Sequence, residues 1–223
     1  MRSYTLVRTR RTTASILIRP GGLVEVRAPQ HMPKAALDQF VAEKESWIAE
    51  KCRLAQEQQA RRDAFALAYG GTALLRGREI PIAAGNAWPH FDGTRFCVPP
   101  ALDAAGIQAA CEAIYRQQAR TLLPVQAQTF AQVMGVVPVS LKINGAKTRW
   151  GSCSAAGNLN FSWRLLMADD AVIDYVVVHE LAHLRKMNHS ARFWAVVAGV
   201  LPDYPARRAQ LRALQERLRG ETW

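Results

Sequence analysis

The sequence lacks long hydrophobic segments. No run of eighteen consecutive apolar residues occurs in its 223 positions, so no membrane-spanning helix is predicted. Residues 1–8 contain charged residues but no long apolar stretch, so they do not resemble a secretory signal peptide. Cysteine is also scarce. The four cysteines lie at positions 52, 97, 111 and 153 and show no paired spacing. Scattered single cysteines are typical of the reducing cytosol. We therefore expect a cytoplasmic protein that has no membrane partner and no disulfide framework.

Acidic residues are fewer than basic ones. The chain has 18 Asp and Glu against 29 Lys and Arg, for a formal net charge of +11. The excess is uneven, because residues 1–34 hold seven basic residues against Glu25 alone, and residues 185–219 hold eight against Asp203 and Glu216. Such positive fields attract polyanions. DNA or another polyanion is therefore a candidate partner, and a generic arginine-rich surface is the alternative.

The composition allows one large domain or two modest ones, since 49% of the residues are hydrophobic. Residues 4–28 predict strands that form a hairpin around a Pro-Gly-Gly turn. Apolar residues at three- and four-residue steps predict one long helix over residues 34–63. Residues 69–100 return to β structure, with an Asp-Gly hairpin turn. Pro99-Pro100 is the expected boundary, so residues 1–100 should form a β-rich N-terminal region with one long helix.

The second region, residues 101–223, mixes helices with a small sheet. Residues 101–134 predict a helix, in which Pro124 should cause a kink or begin a second helix. Residues 137–165 predict strands, and the strictest alternation of apolar and polar residues lies within 158–165. The fold class predicted for the whole chain is therefore α+β.

A His-Glu-x-x-His motif lies inside an apolar run that predicts a helix, with Asp169 or Asp170 as its cap. On a helix, His179 and His183 stand one turn apart on the same face, as two ligands of a tetrahedral zinc ion require. Glu180 reaches the same cavity from the side. It is placed to take a proton from metal-bound water rather than to bind the metal.

His189 is the expected third ligand. It follows His183 by six positions, so the helix must end before it, and Asn188 tolerates the left-handed conformation that ends helices. Three protein ligands leave a fourth position for water, as in a catalytic zinc site. The competing interpretation is a satisfied buried His pair with a surface His. The clustering of three of only five histidines within residues 179–189 favours a site for one zinc ion per chain.

Beyond this motif, the sequence resembles the YgjP-like metallopeptidase family, which is similar to the SprT-like and WLM zincins. The resemblance is strongest over residues 139–205. It is carried by four ordered segments: Thr148–Ser154, Gly157–Asn160, His179–His183 and Asn188–Trp194. The ligand spacing also matches the metzincins, but Lys186 stands where metzincins have glycine.

The resemblance implies a zincin-like metallopeptidase domain over residues 101–223, with a small sheet and the motif helix. It implies a zinc-dependent hydrolase that uses Glu180 as its general base. The implied metal ligands are His179, His183 and His189. Zincins bind an extended peptide along a strand at the rim of the sheet, and residues 158–164 are the candidate strand here, with an ordinary edge strand as the alternative.

The candidate substrate-binding side chains are those of Arg149, Asn158, Asn160 and Ser162. Arg149 either contacts a substrate carboxylate or supports its own loop. Tyr204 is a candidate for stabilising the oxyanion, but a packed or surface tyrosine is the favoured interpretation. Cys153 is not expected to be a nucleophile, because the three histidines nearest to it in the sequence are assigned to the metal site.

The sequence therefore predicts a zinc metallopeptidase that acts on a peptide or protein. A second hypothesis is a nucleic-acid-associated module in which zinc is architectural, or a protease recruited by DNA, as the likeness to SprT-like and WLM proteins allows. A third is a zinc amidase that acts on a non-protein amide, because the same water chemistry serves both reactions.

Overall fold

A computed structural model describes residues 3–223, so Met1 and Arg2 of the predicted N-terminal region lie outside it. The chain forms two compact units. One contains the residues through Phe65 together with Arg217–Trp223, and the other is Ala66–Glu216. This division differs from the predicted boundary at Pro99-Pro100, because the strands before these prolines are grouped with the larger unit. The mixed α+β class is confirmed.

The smaller unit contains a three-stranded sheet. Its strands are β1 (Thr5–Thr9), β2 (Ser15–Ile18) and β3 (Val24–Pro29), in the order β1-β3-β2. β2 and β3 are antiparallel, which confirms the predicted hairpin, and β1 is parallel to β3. The buried face of β3 packs against the helices that follow, in a core of Val24, Val26, Ala28, Leu37, Val41, Ile48 and Cys52.

Two helices follow this sheet where one was predicted. They are α1 (Lys34–Glu43) and α2 (Glu45–Ala64). The prediction of a single helix is wrong because Lys44 leaves the helical region, with φ −105° and ψ 11°, and its N–H bonds only to nearby carbonyls of α1. The apolar spacing continues through this break, so the spacing alone did not reveal it.

The larger unit begins with a four-stranded sheet in the order β4-β5-β7-β6. Its strands are β4 (Thr72–Leu75), β5 (Arg78–Ala84), β6 (His90–Phe91) and β7 (Phe96–Val98). β6 and β7 are antiparallel. Gly93 turns between them with φ +100°, and the Asp92 carboxylate accepts hydrogen bonds from the Thr94 and Arg95 N–H groups. The predicted Asp-Gly hairpin is thus confirmed.

The long helix α3 spans Ala104–Met134. It continues through Pro124, so no second helix begins there. Asp103 caps its start by accepting from the Gly106 N–H at 2.7 Å. Gly135 ends it in the left-handed conformation, which glycine adopts without steric cost.

A three-stranded sheet follows, made of β8 (Ser140–Asn144), β9 (Gly151–Cys153) and β10 (Asn158–Ser162) in the order β8-β10-β9. β10 is parallel to β8 and antiparallel to β9. A 3₁₀ turn then leads to three helices, α4 (Asp170–Ala182), α5 (Ala191–Val200) and α6 (Tyr204–Leu218). α3, α5 and β9 all contact α4. Among residues 3–223, no helix has the length and apolar character needed to cross a membrane.

Candidate metal centre

Helix α4 is a buried apolar helix that carries the His-Glu-x-x-His motif at its C-terminal end. Asp169 caps its start by accepting from the Val172 N–H at 2.8 Å, as predicted. Arg76 holds the first turn through a two-bond ion pair with Asp170 at 2.6 Å. The helix is thus fixed at its start, and its buried residues extend through Ala182.

His179 and His183 lie one turn apart, with ring centroids 5.0 Å from each other. α4 ends at Ala182, and His183 is its C-cap residue. Because a carbonyl can only accept, the His183 Nδ1–H donates to the Lys186 carbonyl at 3.2 Å. This bond fixes the tautomer and leaves Nε2 of His183 free to bind a metal ion, as metal-binding histidines usually require.

The turn after α4 brings His189 back to this pair. Its Nε2 lies 3.1 Å from Nε2 of His179, and the three histidines offer ligand atoms within 4.8 Å of one another. Tetrahedral zinc with Zn–N bonds of ~2.0–2.1 Å separates two ligand nitrogens by about 3.3 Å. The separation of His179 and His189 is therefore close to that of two zinc ligands, and the structure brings all three predicted histidines together.

Aromatic side chains of α5 support the three imidazoles. Phe193 is fully buried, and its ring centroid lies 4.9, 4.7 and 4.8 Å from those of the three histidines in chain order. Trp194 stacks on His189 at 5.8 Å. Both aromatic residues face the metal helix. This wall restricts the positions that the imidazole rings can take.

The surroundings keep His179 and His183 neutral. Burial, together with the nearby charges of His183, His189 and Arg208, lowers the pKa of His179 to about 3. Burial also lowers the pKa of His183. Nδ1 of His179 is buried and has no hydrogen-bond partner within residues 3–223. Neutral imidazole is the form that binds a metal ion, so these ligands are available at neutral pH.

Glu180 points into the same region from the buried side of α4. Only 6% of the residue is exposed. Burial raises its pKa to about 7, although the positive charge of Arg149 acts in the opposite direction. A carboxyl group with a pKa near the working pH is suited to both taking and giving a proton.

Gly151 on β9 lies directly against Glu180. A Cβ atom at Gly151 would lie 2.7 Å from Cγ and 2.8 Å from Oε1 of Glu180, closer than real Cβ contacts. Gly151 was not among the predicted site residues, because a glycine between Trp150 and Ser152 indicates at most a turn or bulge. Only the packing of β9 on α4 shows that the Glu180 carboxyl group occupies the space that a side chain at Gly151 would fill.

The predicted substrate strand needs a correction. Residues 158–164 contain β10, which is the central strand of its sheet, with β8 on one side and β9 on the other. A substrate cannot pair with its backbone, because both edges are already bonded. The strand at the edge beside α4 is β9.

The hydrogen bonds of β9 show which backbone groups are free. The Ser162 N–H donates to the Trp150 carbonyl at 2.8 Å, and the Ser154 N–H donates to the Asn158 carbonyl at 3.0 Å. Trp150 and Ser154 therefore face β10. Backbone groups alternate in direction along a strand. Those of Gly151 and Cys153 therefore point away from β10, toward the outer edge of the sheet.

The predicted substrate-binding side chains lie in different surroundings. Asn158 accepts a hydrogen bond from the Ser140 hydroxyl at 2.7 Å. Ser162 is 1% exposed, and its hydroxyl donates to the Ala146 carbonyl at 2.8 Å. Asn160 is half-buried on β10, and Arg149 is exposed. The proximity of Arg149 to Glu180 supports its candidacy, whereas the hydroxyl of Ser162 serves the fold.

Tyr204 and Cys153 both lie close to the centre. The Tyr204 ring stacks on Trp194, with centroids 5.1 Å apart, and its role in oxyanion stabilisation stays a prediction. Burial, and then the charge of Glu180, raise the pKa of Cys153. A protonated thiol is a poor nucleophile, which agrees with the exclusion of thiol catalysis.

A cavity of about 290 Å³ adjoins the site at His183. One wall is the small-residue turn Ser154–Gly157, which follows β9, and the other is formed by Leu184, Arg185 and Met187. No sequence pattern predicts this cavity, because it depends on two turns that are remote in sequence.

Three converging imidazoles lie beside a buried carboxyl group, all positioned by one helix and the turn after it, an arrangement typical of metal-dependent hydrolases. The sequence profile described as "YgjP-like, metallopeptidase domain" matches residues 12–214. The chain therefore belongs to the YgjP-like metallopeptidase family, and the resemblance found in the sequence is confirmed.

Other comparisons add little. The chain is similar to the metallopeptidase zymogen of Pyrococcus abyssi abylysin, with 20% identity and a TM-score of 0.39; the alignment covers 46% of this chain and 100% of that one. No curated protein matches the sequence. The family assignment is based on the profile match alone.

Proposed function

We propose that this protein is a zinc-dependent peptidase that cleaves peptide bonds with an activated water molecule. The observation that carries the proposal is the close approach of the three histidine ligand atoms, within 4.8 Å of one another, next to a buried carboxyl group. His179, His183 and His189 would hold the ion. When bound there, zinc supplies Lewis acidity for the scissile carbonyl and lowers the pKa of a water molecule toward ~7.

Glu180 is the general base of this proposal. It would take a proton from the attacking water and later deliver it to the leaving amine. Its burial supports this role, because a carboxyl group that is excluded from bulk water and has a pKa of about 7 can return the proton that it accepts. Arg149 would keep the carboxylate form available by its positive charge.

The substrate would lie as an extended strand along the outer edge of β9. Gly151 and Cys153 have their backbone N–H and C=O groups directed there, which suits antiparallel pairing with a peptide. Gly151 also contacts Glu180, so a chain paired at this position lies beside the base. The cavity between Ser154–Gly157 and His183 would accept a substrate side chain next to the cleavage point.

The decisive variant is Glu180→Gln. It keeps the shape of the side chain and removes the base, so we expect unchanged zinc content and a fall in kcat of at least about a thousandfold. Glu50→Gln, an exposed change in the smaller unit, is the matched control. The assay is cleavage of an unfolded protein, with zinc measured in the same samples. Full activity of the Glu180 variant would refute its role as base.

Recruitment by DNA is the second candidate, favoured by the basic surface of α6, where Arg208 and Arg212 are exposed. The test is binding of double-stranded DNA at several salt concentrations, with DNA added to the cleavage assay. Counterion release predicts affinity that falls steeply as salt rises. Absence of binding at low salt would leave the peptidase without a nucleic-acid partner.

A further inference from the structure

An apolar groove lies in the larger unit, beside the sheet that carries β9 but along its other outer strand. One wall is a stripe on α3 from Pro124 to Gly135, and the other is the chain from Val136 into β8. The cavity measures about 440 Å³. None of its lining residues belongs to the metal centre, so the proposed peptidase chemistry does not explain it.

Apolar side chains form most of the surface of this groove. Val137 lines the groove and is 88% exposed, and Val136, Pro138 and Leu141 continue the same wall. Single exposed valines are common, but an exposed apolar residue within an apolar groove is typical of an interaction surface. The walls are built from Val, Ala, Pro and Gln, without an aromatic residue among the residues that line the cavity. The groove therefore suits aliphatic side chains rather than stacked bases.

The groove adjoins a free strand edge. β8 pairs only with β10, so within residues 3–223 no strand covers its outer side. The Ser154 N–H donates to the Asn158 carbonyl, so Asn158 faces β9, and its neighbour Leu159 faces β8. Leu159 lies opposite Leu141 in the parallel register and therefore bonds to the residues on either side of Leu141. Ser140 and Lys142 thus face β10, and the backbone groups of Leu141 and Ile143 point to the outer edge. An open edge of this kind is a template for another extended chain.

The dimensions of helix stripe and strand agree. Gly135 follows Pro124 by eleven positions, which corresponds to about 16 Å of helix. The five residues of β8 correspond to about 17 Å of strand. A peptide segment of five or six residues thus fits between them.

The charges around the groove have one sign. Residues 113–168 contain no Asp or Glu but six basic residues: Arg116, Arg120, Lys142, Lys147, Arg149 and Arg164. Arg120 is exposed one helical turn before Pro124, and Lys142 is exposed on β8. At the other end, a guanidinium nitrogen of Arg185 lies 3.5 Å from the position of a Cβ at Gly135. An occupant with negative charges at both ends would be complementary.

We propose that this groove and the β8 edge bind an extended segment of another protein, with aliphatic side chains in its middle and acidic residues at its ends. The segment adds as a strand to β8 and buries alternate side chains between β8 and α3. If the peptidase function holds, this surface retains a protein substrate at a distance from the bond that is cut. That consequence rests on the proposed function, whereas the binding itself does not.

The test is direct binding to the Glu180→Gln protein, so it needs no turnover. The probe is a fluorescein-labelled nonapeptide with a Val-Thr-Val-Thr-Val centre and two aspartates at each end, followed by anisotropy. Val136→Asp and Val137→Asp are expected to weaken binding at least about tenfold, since both residues line the groove and the variants place a charge in the apolar wall. Leu23→Asp is the matched control, because Leu23 is 70% exposed in the smaller unit.

Two altered probes separate the contributions. Lysines in place of the aspartates, or N-methyl groups on alternate valine amides, are each expected to weaken binding at least about tenfold, because they remove the charge pairing or the strand pairing. Equal affinity of the wild-type surface and both valine variants would overturn the proposal. Displacement of the probe by single-stranded DNA, with no effect of either valine variant, would also overturn it and assign the basic charges to nucleic acid.

Discussion

Replacement of Gly151 by alanine tests the position of the proposed base without touching the base or a ligand. The new Cβ would lie 2.7 Å from Cγ and 2.8 Å from Oε1 of Glu180, where an ordinary contact is 3.4–4 Å. The carboxyl end must therefore move by roughly 1 Å, and a misplacement of that size at a reacting group can cost about a hundredfold in rate. We expect kcat to fall tenfold to a hundredfold with zinc content unchanged.

The matched control is Gly199→Ala on α5, where an added Cβ has nothing within 4 Å. The assay is kcat and KM for cleavage of an unfolded protein, with the melting temperature measured for each variant. The close contacts are with a flexible side chain, so we expect the Gly151 variant to stay folded. If it kept full kcat, the carboxyl group would not lie where the structure places it, and the argument for Glu180 would lose its geometric basis.

Three further predictions concern the surroundings of the site. Asp169→Ala should lower the stability of the protein by about 1 kcal/mol, because the N-cap of α4 is lost, and denaturant unfolding measures this. Arg149→Gln should move the acidic limb of the kcat profile to higher pH, since the charge of Arg149 lowers the pKa of Glu180; an unmoved limb would contradict that coupling. In chelator-treated protein, the pKa of Glu180 is 4.5 in the unfolded chain and about 7 in the folded one. The unfolded state therefore loses the proton first, and stability falls by about 3 kcal/mol as pH rises from 4.5 to 7. Glu180→Gln should abolish that part of the fall, and parallel stability curves for the two proteins would refute it.

The sequence predicted the parts of the site that depend on local geometry. The spacing of His179 and His183 defines one helical face, and Asp169 is a capping residue directly before an apolar run. The Asp-Gly turn between β6 and β7 is likewise set by residues adjacent in the chain. In each case the information lies within a few positions, so the pattern was sufficient.

The sequence did not predict the relations between distant segments. Alternation within residues 158–165 indicated a half-buried strand, but the order of strands depends on which segments pair, and β10 proved to be central. The break at Lys44 involves no proline or glycine, so no local signal marked it. The contact of Gly151 with Glu180 joins residues 29 positions apart, and only the packed structure reveals it.

The central claim is that three histidines of this chain bind one zinc ion. Its most direct test is elemental analysis of the purified protein and of His189→Ala, with Gly199→Ala as a control for handling. We expect one zinc per chain in the wild type and the control, and a clear loss in the His189 variant, because the third ligand is removed. Wild-type protein without zinc, or a His189 variant that keeps a full equivalent, would contradict the three-histidine site.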